Sequence, residues 1–126
     1  GWGAQPFFSQ FSPRGRLLFD GDLPEDDGSY RVYRFPWKAT PPTPPKLAAV
    51  RSGDSTLSLY ASWNGATEVD SWRVMAGSPG SMAPLTTAPW RGLETQIDVA
   101  PGAAAIKFQA LDDEGQRLAT SNTVSP

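Results

Sequence analysis

The sequence predicts an all-β protein, and three observations carry that prediction. Short runs alternate apolar and polar side chains, the period of a strand with one buried face. Gly and Pro supply 12 and 13 of the 126 residues and punctuate those runs, as turn-rich antiparallel folds require. No stretch carries apolar residues at spacings of three and four, so no helix longer than a turn or two is expected.

The chain is long enough for one domain, or for one domain with an appendage. Ala39-Thr40-Pro41-Pro42-Thr43-Pro44-Pro45 divides it, with four of the 13 prolines. Proline fixes φ and removes a backbone donor, so 39–45 reads as a stiff, extended linker. Residues 1–38 form a short first piece that holds nine of the 14 aromatic residues. Residues 46–126 have the length and strand spacing of one antiparallel β-sandwich.

The elements follow in chain order. Phe8-Ser9-Gln10-Phe11, Ser12-Pro13-Arg14-Gly15 and Arg16-Leu17-Leu18-Phe19-Asp20 read as a hairpin, with Pro13 at the first central turn position and Gly15 at positive φ. An acidic loop runs from Asp20 to Asp27, and Ser29 to Phe35 alternates weakly, as a third strand would. Beyond the linker, Ser55 to Trp63 alternates cleanly, with Leu57, Leu59, Ala61 and Trp63 on one face. Asn64-Gly65 marks a turn. Val69 to Ala76 resumes, with Trp72, Val74 and Ala76 inward, and a loop follows from Gly77 to Ser81. A weak apolar stretch spans Met82 to Leu85, then come strands at Glu94 to Val99 and Ala105 to Leu111. Asp112 to Gly115 turns the chain into Gln116 to Ala119, and Ser121 to Val124 ends it. The expected core is Leu57, Leu59, Trp63, Trp72, Val74, Ile97, Val99, Ile106 and Phe108.

Gly1-Trp2-Gly3-Ala4-Gln5-Pro6-Phe7-Phe8-Ser9-Gln10-Phe11, Gly15-Arg16-Leu17-Leu18-Phe19-Asp20 and Ser29-Tyr30-Arg31-Val32-Tyr33-Arg34-Phe35-Pro36-Trp37 resemble the last propeller segment of bacterial and fungal arylsulfotransferase-like proteins. The resemblance runs through the whole chain and implies the end of a secreted or periplasmic β-propeller followed by a small β domain. That family's catalytic histidine and sulfuryl-binding residues lie in the propeller, and no position here matches them. Residues 46–126 resemble a fibronectin type III domain, of the immunoglobulin-like class. Trp63 falls at its core tryptophan, Trp72-Arg73-Val74 on its Tyr-x-Val strand, and Ile106, Phe108 and Ala110 on its Val-x-Val-x-Ala strand. Ala104 departs from the pattern, standing where the corner tyrosine belongs.

Composition narrows function. Net charge is −2, and neither half carries the basic field that nucleic acid or an anionic membrane requires. No apolar run reaches membrane-spanning length, and no signal peptide is read, so the chain is expected to be cytosolic or already processed. Cysteine and histidine are both absent, which removes disulfides, thiolate nucleophiles, the commonest general base and the commonest transition-metal ligand. No catalytic, cofactor-binding or metal-binding residue is assigned. The acidic loop from Asp20 to Asp27 does not have EF-hand spacing, since Pro24 and Glu25 stand at a ligand position and the turn glycine position. It is read as a solvated loop, and Asp112-Asp113-Glu114 as turn chemistry. Asn64 and Asn122 fail the glycosylation sequon at Ala66 and Val124.

What remains is an aromatic interface. Trp2, Phe7, Phe8, Phe11, Phe19, Tyr30, Tyr33, Phe35, Trp37 and Trp90 exceed what three short strands bury. Trp2, Trp37 and Trp90 as a sugar-stacking platform is the lesser reading, because Trp is enriched at protein interfaces. The expected function is a non-catalytic C-terminal structural and interaction module of an exported propeller protein, extracellular or periplasmic. Its partner is protein, either the parent propeller or another chain. The rival expectation is a free-standing sandwich that binds carbohydrate or protein, or a subunit of a larger assembly.

Overall fold

The computed structural model describes residues 1–126, and all its regular structure is β. Nine strands form three antiparallel sheets. The chain divides into two compact units, Gly1–Pro36 and Trp37–Pro126.

In the first unit, β1 (Phe7–Phe11) pairs with β2 (Leu17–Asp22). Their turn follows from its residues. Ser12 N–H donates to Arg16 O at 2.8 Å, Gly15 N–H to Ser12 O at 2.9 Å, and Gly15 takes φ of 77°. Ser12 Oγ accepts from Arg16 N–H at 3.0 Å, as short polar side chains do at turn starts. The expected third strand, Ser29 to Phe35, does not form. Only Ser29 is bridged, to Gly3, and residues 30–38 make no backbone hydrogen bond with any part of the chain. Strand propensity measures fit to a pleated, half-buried surface, and no strand of this unit pairs with them.

The second unit is an antiparallel β-sandwich. One sheet has the order β3 (Lys46–Arg51), β4 (Leu57–Ser62), β7 (Glu94–Val99). The other has the order β6 (Ser81–Pro89), β5 (Ser71–Ser78), β8 (Ala105–Leu111), β9 (Arg117–Thr120). The register Leu59↔Ile97 and Val74↔Phe108 aligns the inward residues of neighbouring strands. One cluster fills the space between the sheets, including Leu57, Leu59, Trp63 and Ile97 from one side and Trp72, Val74, Ile106 and Phe108 from the other. Val99, also expected in the core, is only half-buried at its margin. Trp72 and Phe108 meet at 6.0 Å between ring centroids.

Three local features depart from the sequence expectation. The stretch 39–45 belongs to the sandwich unit instead of standing free as a linker. Trp63 Nε1 donates to Thr43 O at 2.6 Å, Ala39 and Thr67 exchange two hydrogen bonds, and Pro45 is buried. A proline-rich chain cannot pair along a ladder, but its carbonyls still accept. The strand β6 is longer than the apolar stretch that announced it. It lies at a sheet edge, where Pro84 and Pro89 are tolerated. The register steps from Val74↔Thr86 to Met75↔Pro84, leaving Leu85 as the extra residue of a bulge. The loop expected from Gly77 to Ser81 is a tight hairpin, Ser78↔Ser81 being paired.

The final residues continue along β8. Ser121 N–H donates to Phe108 O at 2.9 Å, and Ser121 Oγ accepts from Phe108 N–H at 2.8 Å. Ile106 and Val124 exchange a pair of hydrogen bonds, each 2.9 Å. Between them, the Asn122 amide grips the edge strand of the opposite sheet. Its Oδ1 accepts from Leu47 N–H at 2.9 Å and its Nδ2 donates to Leu47 O at 3.0 Å.

Candidate functional site

The aromatic residues of the first unit sort onto the two faces of the hairpin. On one face, Trp2 packs on Phe7 with centroids 5.7 Å apart, and its Nε1 donates to Ser9 Oγ at 3.0 Å. Ser9 Oγ in turn donates to Asp20 Oδ1 at 2.8 Å, its cross-strand partner. Trp2 and the Ser9–Asp20 pair therefore form one structural relay. On the other face, Phe8 stands opposite Gly21 and lays its ring over it. A Cβ built on Gly21 would come 2.5 Å from Phe8 Cζ. The glycine leaves room for the ring, and the ring covers backbone that glycine exposes. Phe8 also meets Phe19 at 6.0 Å.

A groove of about 660 Å³ runs along β1 between the hairpin and the extended residues 32–35. Phe8, Phe11, Phe19, Val32, Tyr33 and Phe35 form its apolar lining, and Ser9, Gln10 and Arg34 its polar part. Its size falls within the roughly 300–1,000 Å³ usual for ligand clefts. Tyr33 and Phe35 stack at 5.9 Å. Arg34 lays its guanidinium over the Phe19 ring, 5.3 Å from the centroid, and donates to Gln10 Oε1 at 3.2 Å. Arg31 stacks on Tyr30 at 5.1 Å and donates to the Tyr33 hydroxyl at 3.4 Å. Tyr30, Tyr33 and Phe35 are 84%, 65% and 74% exposed, so this unit leaves the lining open to solvent.

The structure thus gathers Phe8, Phe11, Phe19, Tyr33 and Phe35 around one groove. It sets Phe7 and Trp2 on the other face of the hairpin, and Tyr30 beside Arg31. Trp37 and Trp90 belong to the sandwich unit, both exposed. Leu93, also exposed, follows Trp90 in the β6–β7 connection. Sequence reasoning passed over Arg31, Arg34 and Gln10. The interleaving of Arg with Tyr and Phe over residues 30–35 signals the Arg31–Tyr30 stack, a cation–π contact between chain neighbours, whereas Arg34 and Gln10 meet only through the fold.

Several other polar groups have structural partners, whereas the buried Ser29 Oγ and Trp72 Nε1 have none. Lys38 Nζ meets Glu68 Oε2 at 2.9 Å, and Thr67 Oγ1 donates to Glu68 Oε1 at 3.1 Å. These hydrogen bonds hold the Glu68 carboxyl below its ordinary value and raise the Lys38 ammonium above its own. Hydrogen bonds from Gln96 and Ser58 likewise lower Asp98. Asp112 Oδ1 accepts from the backbone N–H of Glu114 and Gln116 at 3.1 and 2.7 Å, closing the β8–β9 turn. In the acidic loop, Asp27 N–H donates to Pro24 O at 2.9 Å. No three carboxylates converge as a cation site would need. No helix is long and apolar enough to cross a membrane. No protein-family model, curated protein or solved structure matches this chain.

Proposed function

We propose that the chain is a non-catalytic C-terminal structural and interaction module of an exported arylsulfotransferase-like propeller protein. The observation that carries this reading is the open aromatic groove of the first unit. A two-stranded hairpin is marginal alone in water, and this one leaves Tyr33 and Phe35 mostly exposed. Such a surface is an interface awaiting a partner, and the parent propeller is the partner that the residue resemblance supplies. The exported location rests on the same resemblance.

The sandwich is read as fibronectin type III-like. Three strands facing four, with Trp63 in the core and Ile106, Phe108 and Ala110 inward on β8, support that assignment. Ala104 leaves the family's corner without its tyrosine hydroxyl. Here Ser121 and Asn122 tie the last segment to Phe108 and Leu47 instead. The module would brace the propeller and present the sandwich surface to partners.

The test is the reading frame upstream of Gly1. A propeller encoded in the same frame is the expected finding, and a leader peptide joined directly to Gly1 overturns the tail reading in favour of a free-standing binding module. Incubation of the chain with an aryl sulfate donor and a phenol acceptor should give no sulfuryl transfer; turnover would remove the non-catalytic part.

A further inference from the structure

Residues 30–38 run from the first compact unit into the second. They form no strand, and none of them makes a backbone–backbone hydrogen bond. All of them are exposed. An endopeptidase takes its substrate as an extended strand and bonds to its main chain on both sides of the bond it cuts. A stretch whose backbone groups are already free meets that demand without opening any pairing of the fold, which is where nicking concentrates.

The side chains of the stretch narrow the class of enzyme. Arg31 and Arg34 have no carboxylate within 4.0 Å, whereas Lys38 is held by Glu68. The two arginines stand three residues apart, about 10 Å along an extended chain. Arg31 touches its own neighbours Tyr30 and Tyr33. Arg34 lies over Phe19 and donates to Gln10, both at exposed positions, where such contacts are weak and a competing carboxylate displaces them.

The other basic residues are barred by their backbone. Lys46, Arg51, Arg73, Lys107 and Arg117 lie in strands. Arg14 and Arg16 belong to the tight turn that Ser12 closes. Arg91 N–H donates to Thr95 Oγ1 at 3.0 Å, and Gly92 follows it at φ of 86°, which turns the chain away from an extended course.

We infer that Arg34–Phe35 is a processing bond for an endopeptidase with acidic subsites for the first and fourth residues before the cut. Arg34 fills the first subsite and Arg31 the fourth, as an acid at the base of its pocket selects the basic residue for trypsin. Residues 31–38 then lie across the cleft, four on each side of the bond, all within the unpaired stretch. Hydrolysis consumes one water, leaving a carboxylate on Arg34 and a free amine on Phe35. The product 35–126 keeps the whole sandwich unit, with the Lys38–Glu68, Ala39–Thr67 and Trp63–Thr43 contacts intact. The product 1–34 keeps the hairpin. Cleavage therefore releases the sandwich from the aromatic surface without unfolding it.

The test digests the full chain under native conditions with two proteases. Furin reads arginine at both positions, and trypsin reads only the first. Intact mass and N-terminal sequencing identify the cuts. Furin should cut once, after Arg34, and the fragment 35–126 should resist further digestion. Trypsin should enter first after Arg31 or Arg34. Arg34→Gln should abolish the furin cut. Arg31→Gln should slow it about tenfold or more and leave the trypsin cut after Arg34 unchanged; tenfold corresponds to one charge-assisted hydrogen bond. Circular dichroism of each variant checks that the fold is kept. No furin cut in the native chain, an unchanged furin rate in Arg31→Gln, or first entry of trypsin anywhere outside residues 30–38 overturns the inference.

Discussion

Trp63 joins the sandwich core to the proline-rich stretch that precedes it. Its ring sits in the core cluster while its Nε1 donates to Thr43 O at 2.6 Å, so one side chain serves both packing and anchoring. Trp63→Ala should cost about 3–5 kcal/mol in denaturant unfolding, the usual loss for a buried large aromatic. A change below about 1 kcal/mol would place the ring at the surface. Its inward parity was legible from the alternation Leu57, Leu59, Ala61, Trp63, because a buried face imposes a period of two. The bond to Thr43 was not legible, since nothing local links an indole to a carbonyl 20 residues back. The Lys38–Glu68 pair carries a pH signature with two signs. Glu68 is lowered, so its contribution is complete above the ordinary glutamate value of 4.5 and is lost as pH falls through the lowered one. Lys38 is raised, so its contribution is complete below 10.5 and is lost as pH rises through the raised value. Unfolding midpoints across pH should show Glu68→Gln shrinking the acid limb, to which the lowered Asp98 also contributes, and high salt should shrink the wild-type effect because the pair is exposed. An unchanged acid limb in Glu68→Gln would remove the pair from the account.

At the scale of elements, the β5–β6 hairpin depends on close backbone approach. Gly77 takes φ of 154°, and a Cβ there would lie 2.3 Å from Ser81 O, a backbone atom that cannot swing away. Gly77→Ala should therefore destabilise the sandwich by roughly 1–3 kcal/mol, read from thermal and denaturant unfolding. A neutral result would mean that the hairpin opens without resistance. The elements differed in how far the chain announced them. Glu94–Val99 and Ala105–Leu111 match their expected bounds, because crisp alternation ends at Pro101-Gly102 and Asp112. The strand β3 went unread. Lys46-Leu47-Ala48-Ala49 offers one large apolar residue among small ones, and its pairing with β4 supplies what its own pattern lacks. Residues 29–35 failed in the opposite direction. They carry strand-forming side chains, but beyond the Ser29–Gly3 bridge they have no backbone partner, so propensity alone overstates them. In the groove, the aromatic residues were legible as an excess over what short strands bury. Arg34 was not, because its fixing depends on a ring and an amide supplied by the hairpin, Phe19 and Gln10, whereas Arg31 uses its own neighbours Tyr30 and Tyr33.

For the whole molecule, the division falls at Pro36–Trp37, and the proline-rich stretch goes with the sandwich. A chain beginning at Trp37 should be monomeric and bind little hydrophobic dye, whereas the full chain should bind more dye and show a larger scattering mass. Equal dye binding by the two would mean that the first unit's aromatic residues are covered. A chain beginning at Lys46 should unfold at lower denaturant than one beginning at Trp37, having lost Thr43 O, the Ala39–Thr67 exchange and the buried Pro45. Equal midpoints would reduce the stretch to a tether. The grip of Asn122 on Leu47 has a kinetic consequence. The two residues are 75 positions apart, so their hydrogen bonds close nearly the whole sandwich sequence into one loop. Contacts of such separation form only after much chain entropy has been lost, which places this closure late in folding. The Leu47 amide is then shielded from solvent deuterium only while the first strand and the last segment are held together. Its exchange rate becomes a one-atom gauge of that closure, and Asn122→Ala should accelerate it ahead of amides in β8.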